Sequence, residues 1–251
     1  VPHHPSHLAA EHTPEAIRQR LADGQSHSYL GDFIYGAIDG AVTTFAVVCA
    51  VAGAELSAVI IIILGLANLI GDGFSMAVSN FLGTRAEEQL RLRARKREEH
   101  HIKTFPEGER EEIRQIFAAK GFTGEDLDRA VDIITADMKR WVDTMMREEL
   151  GLPLETASPW RAATATFIAF IIIGFIPLLA YVVEWFAPGT IEHRFLWSTI
   201  LTGLAFFLVG AAKGKIVEEN RIISGLETLA AGGLAAIIAY AIGALLKGLA
   251  P

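Results

Sequence analysis

Two carboxylates, two amides and a thioether stand inside hydrophobic segments long enough to cross a bilayer. Asp39 lies in the apolar run 33–54, and Asn68, Asp72, Met76 and Asn80 recur every fourth residue through the run 58–83. A charge held in hydrocarbon is costly, so such residues face a protein interior or an aqueous passage and mark an ion or proton route. Residues four apart return to nearly the same side of a helix, so the second row forms a stripe. One methionine alone is commonly a packing residue, and one asparagine a bond between helices. The row as a whole suits a transition-metal ion better than a sugar or a lipid. A soft thioether beside hard oxygens fits a borderline cation such as Fe²⁺, and its weak hold lets the ion leave again.

A second set of donors falls in the polar stretch that follows. Glu98 and His101 are three apart, Glu109 and Glu112 are three apart, and Met145, Met146 and Glu149 occupy one turn. Each group presents its side chains on one helical face. For any one pair the plain reading is solvated charge, but three groups on successive helices make a shared metal site an equal expectation. Glu98-x-x-His101 also matches half of a di-iron carboxylate motif, which would make the stretch an oxidase or ferritin-like unit. That architecture needs two such motifs, and the sequence holds no second one. An enzyme is therefore not expected. His3, His4, His7 and His12 form a loose tail cluster read as having no functional role.

Positioning these residues requires helices. Hydrophobic residues make up 51% of the chain and charged ones 20%, with the charges crowded between 85 and 161. The expectation is an all-α membrane protein of five transmembrane helices, with a cytoplasmic three-helix insert between the second and third spans. The spans are 33–54, 58–83, 162–183, 195–212 and 226–246, the fourth being the shortest. Four regions follow: an N-terminal tail (1–30), spans one and two (31–84), a metal-binding helical insert (85–160), and spans three to five (161–251). Insert helices are expected over 85–103, 107–120 and 125–150, punctuated by Pro106, by 121–124 and by 151–153. No breaker apart from Gly83 separates the second span from the first insert helix, so the two should be one rod. In the tail, Thr13-Pro14-Glu15 reads as a cap and first turn for a helix to about Ala22. Pro177 should kink the third span after Gly174. Gly36 and Gly40 permit close helix approach, either between subunits or within the chain.

All but Arg194 and Lys247 of the 22 Lys and Arg residues fall on the side of the tail, the insert and the 213–221 loop. The positive-inside rule then puts the N-terminus in the cytoplasm and the C-terminus outside. Lys213 and Lys215 are candidate partners for Asp39. A formal net charge of −7 gives no nucleic-acid reading. The single Cys49 lies in the first span as a packing residue, which excludes an intramolecular disulfide and a thiolate zinc site. Residues 1–31 lack the apolar core of a signal peptide, although the chain starts at Val1, so the first span is expected to direct insertion.

Several motifs together resemble the vacuolar iron transporter family. They are Tyr35-Gly-Ala-Ile-Asp39-Gly40, Ser75-Met76-Ala77, Met145-Met146-Arg-Glu-Glu149-Leu-Gly-Leu152, Gly174-Phe-Ile-Pro177-Leu-Leu and Ser224-Gly225-Leu-Glu-Thr-Leu. The resemblance covers nearly the whole chain after Gly31. It implies a five-span homodimer in a lipid bilayer that exports Fe²⁺ from the cytosol in exchange for protons, with Mn²⁺, Zn²⁺ or Co²⁺ as further cargo and no prosthetic group. It also implies that Asp39 and Met76 line the path, while Glu98, Glu109, Glu112, Met145, Met146 and Glu149 capture metal first. The chain departs from the family pattern at Asn68, Asn80 and His101, where carboxylates are expected; Asp72, one turn from both Asn68 and Met76, can compensate. The tail and insert, which follow the family least, suggest a bacterial inner membrane. Alternatives are a metal-gated membrane sensor or store, and a membrane di-iron oxidase.

Overall fold

The computed structural model describes residues 12–23 and 28–249, and among these it contains helices and no strand. His3, His4 and His7 lie outside the described residues. A short helix, α1 (Pro14–Asp23), opens under Thr13, whose hydroxyl accepts from the Ala16 N–H at 3.3 Å. Helix α2 (Leu30–Gly53) is the first span. Helix α3 (Ala58–Thr104) runs 47 residues without interruption, about 70 Å at 1.5 Å per residue. Hydrocarbon some 30 Å thick can cover less than half of that length. The remainder is the shaft on which the insert is built, joined to the second span as the sequence predicts.

The insert continues with α4 (Pro106–Ala119), α5 (Gly124–Thr135) and α6 (Met138–Glu148). The expected helix over 125–150 is thus two helices, broken at Ala136 and Asp137. Asp137 caps α6 by accepting from the Arg140 N–H at 2.8 Å, and the Arg140 guanidinium donates to the Ile133 carbonyl at 2.6 Å. One residue pair satisfies both new helix ends, so the break leaves few polar groups stranded. A separate apolar core of Ile102, Ile113, Val131, Trp141, Val142, Met145 and Met146 holds these helices to the shaft. Asp143 receives Arg95 at 2.6 Å and Lys139 at 2.7 Å. Burial pushes its carboxyl up, but the two cations more than offset this and hold it below the usual carboxylate range.

The third span is α7 (Pro159–Gly174), a 3₁₀ turn (Ile176–Leu178) and α8 (Leu179–Phe186), its α-helix interrupted at Pro177, where the sequence places a kink. Helices α9 (Arg194–Ile216) and α10 (Arg221–Leu246) complete five helices long and apolar enough to span. Exposed Trp160 at one end, and exposed Trp185 and Trp197 at the other, suit the two membrane interfaces. The chain is an integral membrane protein.

Helix α2 is central, packed against α7 and α10. Small residues make this possible. A Cβ on Gly40 would stand 2.5 Å from the Phe170 carbonyl oxygen, one on Gly36 would collide with Thr166, and Gly174 meets Gly40 from the other side. The Gly36–Gly40 face is therefore a contact inside the chain. Gly40→Ala is expected to cost on the order of 1–3 kcal/mol, because helix backbone cannot yield as a side chain can. Gly233→Ala on α10, with nothing within 4 Å of its Cβ position, should be neutral or slightly stabilising. Thermal melting of the two variants in detergent measures the difference.

Candidate functional site

Between α2 and α3 lies a cleft of about 490 Å³ lined by Gly31, Asp32, Tyr35, Asp39, Met76, Ser79 and Asn80. Asp32, Tyr35 and Asp39 recur at helical spacing on α2, and Met76, Ser79 and Asn80 do so on α3, so two ridges face each other. Three of the five path residues expected from sequence, Asp39, Met76 and Asn80, meet here. Asp32 joins them, although it stands just ahead of the apolar run that marks Asp39.

Asn68 and Asp72 do not line the cleft. Asn68 donates to Thr43 Oγ1 at 3.5 Å, and that hydroxyl donates to the Asp39 carbonyl at 2.9 Å, one turn back along α2. Asp72 is close enough to Asp39 for the two charges to interact, yet it is exposed on the outer side of α3. The reason is helical geometry. Each four-residue step overshoots a full turn by about 40°, so the row from Asn68 to Asn80 winds about 120° round α3. Lys213 pairs with Glu227 at 4.0 Å. The charged neighbour identified for Asp39 is another acid.

In the insert, Glu98 on the α3 shaft, His101 one turn on and Glu109 at the start of α4 bring ligand atoms within 4.8 Å of one another. Pro106 makes this convergence possible by turning the chain back immediately after the shaft. Glu98 and Glu109 are buried, whereas His101 is half exposed. His101 Nδ1 lies 3.4 Å from Glu109 Oε1, and the other Glu109 oxygen is buried without a hydrogen-bond partner. A buried carboxylate oxygen left unsatisfied is costly unless a cation or proton meets it. Burial, with Glu112, Glu98 and Glu149 nearby, pushes the Glu109 carboxyl up to about 7, while His101 pulls the other way. Glu149 is also raised, by burial and then by Glu98 and Glu112, against Arg97 and His101. Glu98, Glu109, Glu112 and Glu149 thus share one electrostatic neighbourhood. Met145 and Met146 sit fully buried in the insert core beside it, where they pack as well as any apolar side chain.

This donor set is chemically coherent for a divalent cation. Carboxylates and one imidazole, with one oxygen orphaned, match iron, manganese or zinc better than sodium or a phosphate. A proton is the competitor, since each ligand must lose one to bind metal.

Along most of its length the chain is similar to known proteins. The VIT family matches residues 30–244. The chain is 32% identical over 250 residues to a vacuolar iron transporter of Toxoplasma gondii, covering 95% of this chain and 83% of that one. It is 32% identical over 235 residues to vacuolar iron transporter 1 of Arabidopsis thaliana, with 90% and 92% covered. A vacuolar iron transporter of Plasmodium falciparum is 30% identical over 234 residues, with 89% and 86% covered. Five spanning helices, a cleft carrying Asp39 and Met76, and a match along nearly the whole chain lead to one conclusion: the protein belongs to the VIT family.

Proposed function

We propose that this protein exports ferrous ion from the cytosol in exchange for protons, with Mn²⁺, Zn²⁺ and Co²⁺ as further cargo, and that it is not an enzyme. The observation that carries this reading is the cleft in which the Asp39 carboxylate and the Met76 thioether meet inside a five-span bundle. The names of the relatives support iron as the cargo. The N-terminus and the insert are on the cytosolic side, where the basic residues cluster. The region 85–160 acts as the metal-binding domain. There the ion meets Glu98, His101, Glu109, Glu112 and Glu149, with the sulfurs of Met145 and Met146 behind them. It then passes along the shaft to Asp39 and Met76. Asp72, outward-facing on a single protomer, would be costly against lipid, which supports a homodimer that covers it. Protons from the far side compete for the same carboxylates and release the metal.

Sealed proteoliposomes holding a ferrous indicator and a pH dye test the reading. Fe²⁺ uptake with an opposing proton flux is expected. Binding without flux would indicate a sensor or store, and oxygen consumption a di-iron oxidase; either result overturns the proposal.

A further inference from the structure

Asn80 uses its hydrogen-bonding groups inside the protein, which gives it a role other than ligand. Its Nδ2 donates to Asp32 Oδ1 at 2.8 Å and to Thr166 Oγ1 at 2.7 Å, and its Oδ1 accepts from Thr84 Oγ1 at 3.2 Å. The orientation follows from chemistry: an ionised carboxylate only accepts, so the amide nitrogen must face Asp32. Thr166, wholly buried, donates its own proton to the Asp32 carbonyl at 3.4 Å, which leaves its oxygen to accept from Asn80. Every proton in the chain of bonds is assigned once. Three helices, α2, α3 and α7, are tied together through one amide.

Asp32 and Asp39 line the same cleft and are seven residues apart on α2, two turns or about 10 Å along the axis. Asp32 is at the insert-side mouth. Its helix begins beside the start of α7, where the Ser158 N–H donates to the Tyr29 hydroxyl at 2.9 Å, and the α3 shaft leaves the bundle just past Asn80. We infer that Asn80 is a positioning residue that holds Asp32 as the outermost metal-binding carboxylate of the cleft, so that an ion leaving the insert meets Asp32 before Asp39. An acid at position 80 would set two like charges in contact, whereas the amide supplies a donor and leaves a single oriented carboxylate. This inference rests on the transport reading above.

The test uses the full chain in the same proteoliposomes. Asp32→Asn and Asn80→Leu should each raise the KM for Fe²⁺ about tenfold with kcat changed less than about twofold, the signature of lost initial binding. The double variant should match Asp32→Asn alone, since without the carboxylate the clamp holds nothing. Asp32→Glu, which keeps the charge, should recover part of the loss. Should Asp32→Asn fail to assemble, Asn80→Ser carries the test through a KM raised at least about threefold at unchanged kcat. A native KM in Asp32→Asn or in Asn80→Ser, or a double variant in which the two penalties multiply, overturns the inference while leaving transport intact. A wild-type protein that moves no ion overturns the transport reading and this inference with it.

Discussion

Asp39→Asn is expected to lower proton-coupled ferrous flux on the order of 100-fold, about 2.7 kcal/mol of lost stabilisation along the path. The substitution keeps shape and removes only charge and the ability to exchange a proton. Its position makes both losses count: Asp39 lines the cleft with Met76, and the Thr43 hydroxyl bonded to its carbonyl fixes this turn of α2 relative to Asn68. Met76→Leu should act differently. It keeps the volume and the charge pattern, so it should slow Fe²⁺ modestly and shift preference toward harder ions such as Mn²⁺. Initial rates for both ions, with intravesicular pH followed in parallel, separate the two roles. Native flux with native pH coupling in Asp39→Asn would refute the assignment.

Glu109→Gln is the second large effect, and here the expected outcome is a changed pH dependence of metal binding. With Glu109 raised to about 7 in the metal-free fold, a divalent ion must displace its proton below that pH. Affinity at the insert should therefore fall as pH drops through 7, and Glu109→Gln should both weaken binding at least about tenfold and flatten that dependence. Titration calorimetry with Mn²⁺ or Co²⁺ between pH 5.5 and 8, on protein carrying Asp32→Asn and Asp39→Asn to silence the cleft, measures both. The stability of the metal-free protein has its own sign. Unfolded, the Glu109 carboxyl ionises near 4.5; folded, near 7. Between those values the folded state holds the extra proton, so stability declines as pH rises through this window and levels off above 7. Bound metal removes the penalty, so the metal-induced rise in melting temperature should be larger at pH 7.5 than at pH 5.

The five spans were legible because a run of some twenty apolar residues permits few other structures. The continuous α3 was legible for a negative reason, the lack of a breaker beyond Gly83. The break at Ala136–Asp137 was not, because neither Gly nor Pro marks it and the amphipathic pattern runs through. Only the paired use of Asp137 and Arg140 as caps reveals it. Gly36 and Gly40 announced a close approach without saying to what, since small residues serve neighbours in the same chain and in another equally well. In the cleft, Asp39 and Met76 stood out as polar or soft groups in apolar surroundings. Asp32 did not, sitting one residue before the run began, though its seven-residue spacing from Asp39 places both on one side of α2. Asn80 was legible as a polar residue on the stripe, but its bonds to Asp32 and Thr166 join positions 48 and 86 residues away. No local pattern encodes such a partnership.

The unbroken α3 works as a lever arm. Glu98 stands 22 residues beyond Met76 on the same rod, about 33 Å away, so a swing of only 4° pivoting at the thioether carries the glutamate about 2.3 Å, the length of a metal–ligand bond. Arg91 gripping the Leu154 carbonyl and Arg95 gripping Asp143, with the apolar core that holds α4 and α6 to the shaft, carry the insert along with that swing. A small reorientation at the membrane thus displaces the insert as a body, with Glu98 and Glu109 together in it.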